Sequence, residues 1–228
     1  DGDKPMCGLT GVMNLDRAPV APQAVLRMTR AIAHRGPDGE GIWTGEGIGL
    51  GHRRLAIIAP GPEGSQPMLS QDGRYTLVYN GELYNFRELR AQLESQGRRF
   101  QTQTDTEVVL SAFAEWGPQC VKRFNGMFAF AIWDTVERTL FLARDRFGVK
   151  PLYYAQIGQT VLFGSEIKAL LAHPSMVVRV CTPALHEYFT FQNVFTDRTL
   201  FEGVKSLPAG HTLRVAVGMS DVPETTEY

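Results

Sequence analysis

Cys7 is a residue whose type and setting could do nucleophilic chemistry. It stands between Met6 and Gly8, with Gly11 a short step further on, so few side chains crowd its backbone and a reacting group could approach the thiol. The competing reading is structural, because free cysteine is among the most buried residue types and a small apolar side chain at a strand start needs no chemistry to explain it. Asn80-Gly81 also has two readings. The dipeptide is the strongest short hairpin signal, yet Glu82-Leu83-Tyr84-Asn85 and a helical pattern from Phe86 follow it, with no second alternating strand for a tight hairpin to pair with. Thr104-Asp105-Thr106-Glu107 has the form of a capping box, where an acidic residue also complements the helix dipole. Cys120 follows a Gly-Pro turn and Cys181 precedes Thr182-Pro183, so both read as structural thiols. The five histidines show no metal-ligand spacing, and no metal is expected.

These residues need elements to carry them. Cys7 to Asn14 reads as a buried strand, followed by a helix that starts near Pro22, carries Val25, Met28 and Ile32 at helical spacing, and ends in Arg35-Gly36-Pro37-Asp38-Gly39. Leu50 to Ile58 and Tyr75 to Tyr79 read as strands. Two helices follow, one striped by Phe86, Leu89 and Leu93 and the other by Val108, Val109, Ala112, Phe113 and Trp116. Short strands then occupy Phe128 to Trp133, Thr139 to Arg144, Leu152 to Ala155 and Val161 to Phe163, with short helices at Ser165 to Leu171 and Thr182 to Phe189 and a late strand at Leu213 to Val217. From Gly218 the sequence is polar and aperiodic, which predicts a linker. Strands and helices come in separate runs, so the class is α+β with antiparallel sheet.

Composition narrows the function classes. The 228 residues are 43% hydrophobic and 21% charged, with 23 Lys and Arg against 24 Asp and Glu, so no basic surplus is available for a phosphate backbone. A nucleic-acid partner is not expected. The longest apolar run, Met127 to Trp133, is far shorter than the roughly 20 residues a membrane helix needs, so no membrane partner is expected either. The polar start of the chain lacks a secretory apolar core, which predicts a cytoplasmic protein with reduced thiols.

Five segments taken together carry a family resemblance: Met6-Cys7-Gly8, His34-Arg35-Gly36-Pro37-Asp38, His52-Arg53-Arg54-Leu55-Ala56-Ile57, Asn80-Gly81-Glu82-Leu83-Tyr84-Asn85, and Asp145-Arg146-Phe147-Gly148-Val149-Lys150-Pro151-Leu152-Tyr153-Tyr154. In this order they resemble the glutaminase domain of class II glutamine amidotransferases, above all that of glutamine-hydrolysing asparagine synthetases, from Cys7 to about His211. The resemblance implies an N-terminal-nucleophile hydrolase fold, in which two antiparallel sheets lie between helical layers. It implies that Cys7 is the nucleophile and that its own α-amine moves the protons, since the reference values of thiol and α-amine lie close together. Asn80 and Gly81 match the family's oxyanion hole, through a side-chain amide and a backbone N–H. Arg54 and Asp105 match the partners of glutamine's α-carboxylate and α-ammonium, while Leu55, Ile57 and Glu82 fall along the glutamine pocket. Arg53 reads as a solvated strand residue. Arg35 and Asp38 fall in a loop that the resemblance puts beside the nucleophile, read equally as a structural ion pair or turn and as substrate contacts, and stay outside the core site.

The resemblance divides the chain into an extension (1–6), a glutaminase domain (7–211), and a last strand with linker (212–228) toward a synthetase domain that would receive ammonia. ATP and Mg2+ are expected only in that domain, because neither Ser-Gly-Gly-x-Asp-Ser nor Gly-x-x-x-x-Gly-Lys occurs in this chain. Glutamine and the synthetase domain are the expected partners, and self-association into a homo-oligomer is left open. Six residues ahead of Cys7 depart from the family pattern, since a peptide bond there turns the α-amine into an amide. Two alternatives accompany the main reading: an asparagine-synthetase-like enzyme that amidates a different carboxylate, and a non-catalytic domain that binds glutamine or a partner.

Overall fold

Strand β6 (Gly126–Asp134) shows how the layers arise. Phe128, Phe130 and Ile132 face one side and Ala129, Ala131 and Trp133 the other, and all six are buried. A strand covered on both faces lies between two layers. The structure, a computed structural model, describes residues 6–56 and 61–228, with Pro62 given as backbone alone. On one face of β6, Phe128 and Phe130 pack under helices α2 (Phe86–Ser95) and α3 (Asp105–Trp116), against Leu89, Leu93, Val109 and Phe113. On the other, Ala129, Ala131 and Trp133 meet Leu9, Met13, Ile48 and Leu50 of a second sheet. Full burial of side chains such as these contributes roughly 1.5–3 kcal/mol each, so this double covering dominates the stability.

Among the described residues, two six-stranded sheets face each other. One contains β1 (Gly8–Asn14), β2 (Gly39–Gly45), β3 (Ile48–Arg54), β8 (Tyr153–Ile157), β9 (Thr160–Gly164) and β10 (Val204–Ser206), in the order β10-β8-β9-β1-β3-β2. The other contains β4 (Met68–Leu69), β5 (Tyr75–Leu83), β6, β7 (Thr139–Arg144), β11 (His211–Ala216) and β12 (Thr226–Glu227), in the order β12-β11-β7-β6-β5-β4. Every strand pairing is antiparallel. Helices α1 (Pro22–Ala31) and α4 (Ile167–Leu171) close the outer face of the first sheet, where Val25, Met28, Ala169 and Leu170 pack with Val12 and Leu162. This is the α+β sandwich of two antiparallel sheets between helical layers that the resemblance implied. Helix α5 (Thr182–Phe191) lies further along the chain, and among the described residues no helix is long and apolar enough to cross a membrane.

Several elements differ from the sequence reading in ways that matter for the site. Strand β3 ends at Arg54, where the chain turns, while Ile57 and Ile58 lie outside the described residues. Strand β2 was not anticipated, because an edge strand with glycine at 39, 41 and 45 lacks the apolar signal of a buried one. Strand β5 runs on to Leu83, so Asn80 and Gly81 sit inside a ladder opposite Ala129 and Phe128 and not in a hairpin turn. The capping box is half formed: Thr104 Oγ1 accepts from Glu107 N at 3.2 Å, but the Glu107 carboxylate takes the N–H groups of Gln101 and Thr102 instead of that of Thr104. The polar stretch after Gly218, read as a linker, returns to the sheet as β12, and the Tyr228 hydroxyl donates to the Arg144 carbonyl at 2.9 Å.

Candidate active site

Cys7 lies one residue ahead of β1, whose first residue Gly8 stands opposite Arg53 of β3. This register brings the thiol to the place where β3 ends and the chain turns away. Leu55 N–H donates to Cys7 Sγ at 3.3 Å, and the thiol faces the Leu55 carbonyl at 3.5 Å. The turn is pinned from behind by Asp38, whose carboxylate accepts from Ala56 N at 2.9 Å while its own N–H donates to the Arg54 carbonyl at 3.0 Å. Burial pushes the Cys7 thiol above its ordinary value, and this outweighs the opposing effects of the Leu55 N–H and the Lys150, Arg54 and Arg35 cations. A thiol held protonated in this way needs a base before it can attack.

The second sheet supplies the other wall through β5. Tyr79 N–H donates to Gln66 Oε1 at 2.6 Å and Leu83 N–H to Asp105 Oδ2 at 3.0 Å, so alternate N–H groups of β5 point away from β6, toward the edge where the two-residue β4 has already ended. Gly81 lies midway between them, and the twofold alternation turns its N–H to the same side. Its neighbour Asn80 is buried to 1% exposure, and its Nδ2 has no hydrogen-bond partner among the described residues. An unpaired buried amide donor costs about 1–3 kcal/mol, so its retention here points to an acceptor that arrives with a ligand. Gly81 itself is fixed by sterics, because a Cβ there would meet the Met127 carbonyl and the Phe128 Cα of β6.

Asp105 opens α3, where Thr104 Oγ1 caps the helix by accepting from Glu107 N–H. Asp105 Oδ2 accepts from the Tyr79 hydroxyl and from Leu83 N–H, both at 3.0 Å. Burial raises its pKa above the usual carboxylate range, with those two bonds partly offsetting the shift. A buried carboxylate of this kind gains from a cation, such as a substrate ammonium. Arg54, at the end of β3, donates from Nη1 to the Gly61 carbonyl at 2.7 Å and lines the same space.

That space is a narrow cavity of about 60 Å3 lined by Cys7, Arg54, Leu55, Gly64, Gln66, Tyr79, Gly81, Glu82, Thr104, Asp105 and Thr106. A far larger cavity of about 590 Å3, between Ser70-Gln71-Asp72 and Arg98-Arg99, contains no cysteine or histidine, so size alone does not pick out the site. The chemistry does.

The description of a glutamine amidotransferase domain matches residues 6–228, nearly the whole chain. This chain belongs to the glutamine amidotransferase domain family. It is 42% identical over 212 residues to asparagine synthetase [glutamine-hydrolyzing] 3 of Bacillus subtilis (strain 168), covering 91% of this chain and 34% of that protein. It is 36% identical over 221 residues to amidase chry2 of Gibberella zeae, covering 91% of this chain and 32% of that one. The chain therefore spans about a third of the length of these curated relatives. In fold it is similar to the glutamine phosphoribosylpyrophosphate amidotransferase of B. subtilis, with a TM-score of 0.71 at 22% identity, over 97% of this chain and 49% of that one.

For this amidotransferase domain, six residues singled out from sequence, Cys7, Arg54, Leu55, Gly81, Glu82 and Asp105, line one cavity, and Asn80 adjoins Gly81 on β5. Ile57 lies outside the described residues. Arg53 is not the solvated strand residue anticipated, since its Nε donates to the Gly36 carbonyl at 3.1 Å and its Nη1 pairs with Glu40 at 3.0 Å. Arg35 and Asp38, left outside the core site, both act on it: Asp38 clamps the Leu55 turn, and Arg35 Nε donates to the Cys7 carbonyl at 2.9 Å. Gln66 and Tyr79 were missed altogether. Nothing in their sequence setting distinguishes them, because their roles arise only when the 61–70 stretch folds across β5.

Proposed function

We propose that this domain hydrolyses glutamine to glutamate and ammonia at Cys7, and that it serves as the glutaminase part of an asparagine synthetase. The observation that carries the reading is that a nucleophile, a cation and a buried carboxylate line one cavity, with an unpaired buried amide donor beside it. Arg54 pairs with the substrate α-carboxylate and Asp105 with the α-ammonium, which leaves the side-chain amide to reach Sγ.

The Cys7 α-amine takes the thiol proton, and the thiolate forms a bond to the amide carbon. The negative charge moves to the amide oxygen, where Asn80 Nδ2 and Gly81 N–H receive it. As the oxyanion collapses, the carbon–nitrogen bond breaks, and the α-ammonium returns the proton to the leaving nitrogen, releasing ammonia and a thioester. Water, deprotonated by the same amine, then attacks the thioester to give glutamate and the free thiol. The thiol is raised by burial, so this proton transfer is the step that depends most on a free amine. Ammonia would pass to an ATP- and Mg2+-dependent synthetase part that converts aspartate to asparagine, in the cytoplasm, where free cysteines such as these stay reduced.

The test compares the 228-residue chain with one that begins at Cys7. We expect glutamate release only from the latter, and its loss in Cys7→Ala with the circular-dichroism spectrum unchanged. Full activity with all six preceding residues confirmed by intact mass would sink the α-amine mechanism, and activity surviving Cys7→Ala would sink the site.

A further inference from the structure

Arg35 and Glu166 form a bridge that ends on the nucleophile. Arg35 lies in the short turn Ala33–Arg35 after α1, and Glu166 immediately precedes α4. The Arg35 side chain is 9% exposed and its guanidinium divides its donors: Nε gives to the Cys7 carbonyl at 2.9 Å and Nη1 to Glu166 Oε1 at 3.0 Å. Glu166 is held in turn by His34 Nε2 at 2.8 Å and by Lys168 Nζ, which pairs with its other oxygen at 3.1 Å. The Arg35 stem lies flat over Gly8, where an added Cβ would approach its Cδ to 3.0 Å. Nη2 is buried without a partner among the described residues, so this guanidinium is not arranged for maximal pairing.

Cys7 precedes the first ladder pair of β1, so the sheet does not fix its backbone. When Cys7 is the first residue, as the proposed function requires, no chain holds it from the other side. A residue free at one end loses conformational freedom when it is fixed, and some group must supply that restraint. The Cys7 carbonyl is the handle, and Arg35 grips it. Arginine can act on two sites at once because its donors lie in a rigid plane, and that plane is set only while Glu166 anchors its far end.

We propose that Glu166 is a positioning residue for the nucleophile, acting through Arg35 to hold the Cys7 backbone so that thiol and α-amine keep the orientation needed for attack. The inference rests on the glutaminase reading, and its test has a readout that does not. In the chain beginning at Cys7, Glu166→Gln keeps the shape and removes the charge. We expect kcat for glutamine to fall at least tenfold with KM within twofold. We also expect the pH midpoint of Cys7 alkylation by iodoacetamide, followed by mass spectrometry of the Cys7 peptide, to move toward that of a free thiol. Lys168→Ala, which removes one of two supports of Glu166, should produce a smaller change in the same direction. Should Glu166→Gln fail to fold, Arg35→Lys is read identically, since one ammonium cannot span both partners.

The proposal is overturned if Glu166→Gln lowers the melting temperature while kcat per folded molecule and the alkylation profile stay at parent values. A parent chain that releases no glutamate would refute the glutaminase reading alone. The alkylation profile would still decide the positioning role.

Discussion

Asn80 carries an unpaid cost at the scale of a single residue. Its Nδ2 is buried with no partner among the described residues, although the N–H groups of Tyr79 and Leu83 on either side of it are paired. Groups left in this state are found where a ligand or transition state completes them. Removing the amide should therefore affect the reaction far more than the fold. We expect Asn80→Ala to lower kcat by about 10²–10³, equivalent to roughly 3–4 kcal/mol of lost oxyanion stabilisation, with the glutamine KM changed only a few-fold. The loss in folding stability should stay below about 1 kcal/mol, because deleting an unsatisfied donor offsets part of the cavity that is left. Steady-state kinetics and urea unfolding of one preparation check both halves. A variant with near-parental kcat would remove Asn80 from the oxyanion hole.

Elements set these residues in place, and the loop after β7 does so through one carboxylate. Asp145 is fully buried and accepts four backbone N–H groups, from Phe147 and Val149 on Oδ1 and from Phe128 and Lys150 on Oδ2, at 3.0–3.2 Å. It thereby ties the start of β6 to the 146–150 turn, whose Lys150 ammonium reaches Met6 Sδ at 3.0 Å beside the nucleophile. Replacing it with alanine strands all four donors. We expect Asp145→Ala to cost roughly 3–5 kcal/mol, read as a shift in urea midpoint, and a loss under 1 kcal/mol would show that water replaces the carboxylate. The Asp145–Tyr154 stretch was legible in the sequence as a family marker, but its mechanical role was not, because the donors it gathers come from two separate segments. Central strands were equally legible: β6 and β7 have dense apolar runs that only burial explains. Strand β2 has no such run, and Asn80-Gly81 imitates a turn while lying mid-strand, since local preference yields to the β6 ladder. Cys7, Arg54 and Asp105 could be placed by motif, whereas the grip of Arg35 on Cys7 depends on a contact between chain segments that no local pattern records.

The two sheets are joined at the scale of the whole molecule by apolar packing and by polar contacts that include Arg144 to Ser206 and, buried between β3 and β5, His52. Carried on β3 at 1% exposure, its Nε2 lies 3.0 Å from the Tyr79 carbonyl on β5, one residue before Asn80. Burial drives its pKa from 6.5 down to about 4, with the Tyr79 hydrogen bond only partly opposing, so the ring is neutral at pH 7 and Nε2 carries the proton it donates. Between those two values the unfolded chain binds a proton that the folded protein refuses. Stability must then fall as pH drops from about 6.5 to 4 and recover as it rises, with no further contribution from this residue below about 4. A shift of this size corresponds to something on the order of 3 kcal/mol. His173 is shifted in the same direction and adds to the slope, Asp105, raised by burial, opposes it, and carboxylates held low, such as Asp134 and Glu166, act below the ordinary carboxylate range. Urea unfolding between pH 7 and pH 4.5 should show the decline in the parent protein. In His52→Gln, which retains an N–H donor for Tyr79 but does not titrate, most of the slope should disappear, leaving the smaller, opposed contributions of His173 and Asp105. An unchanged slope in that variant would mean that His52 takes up its proton in place and that the polar link between the sheets survives the charge.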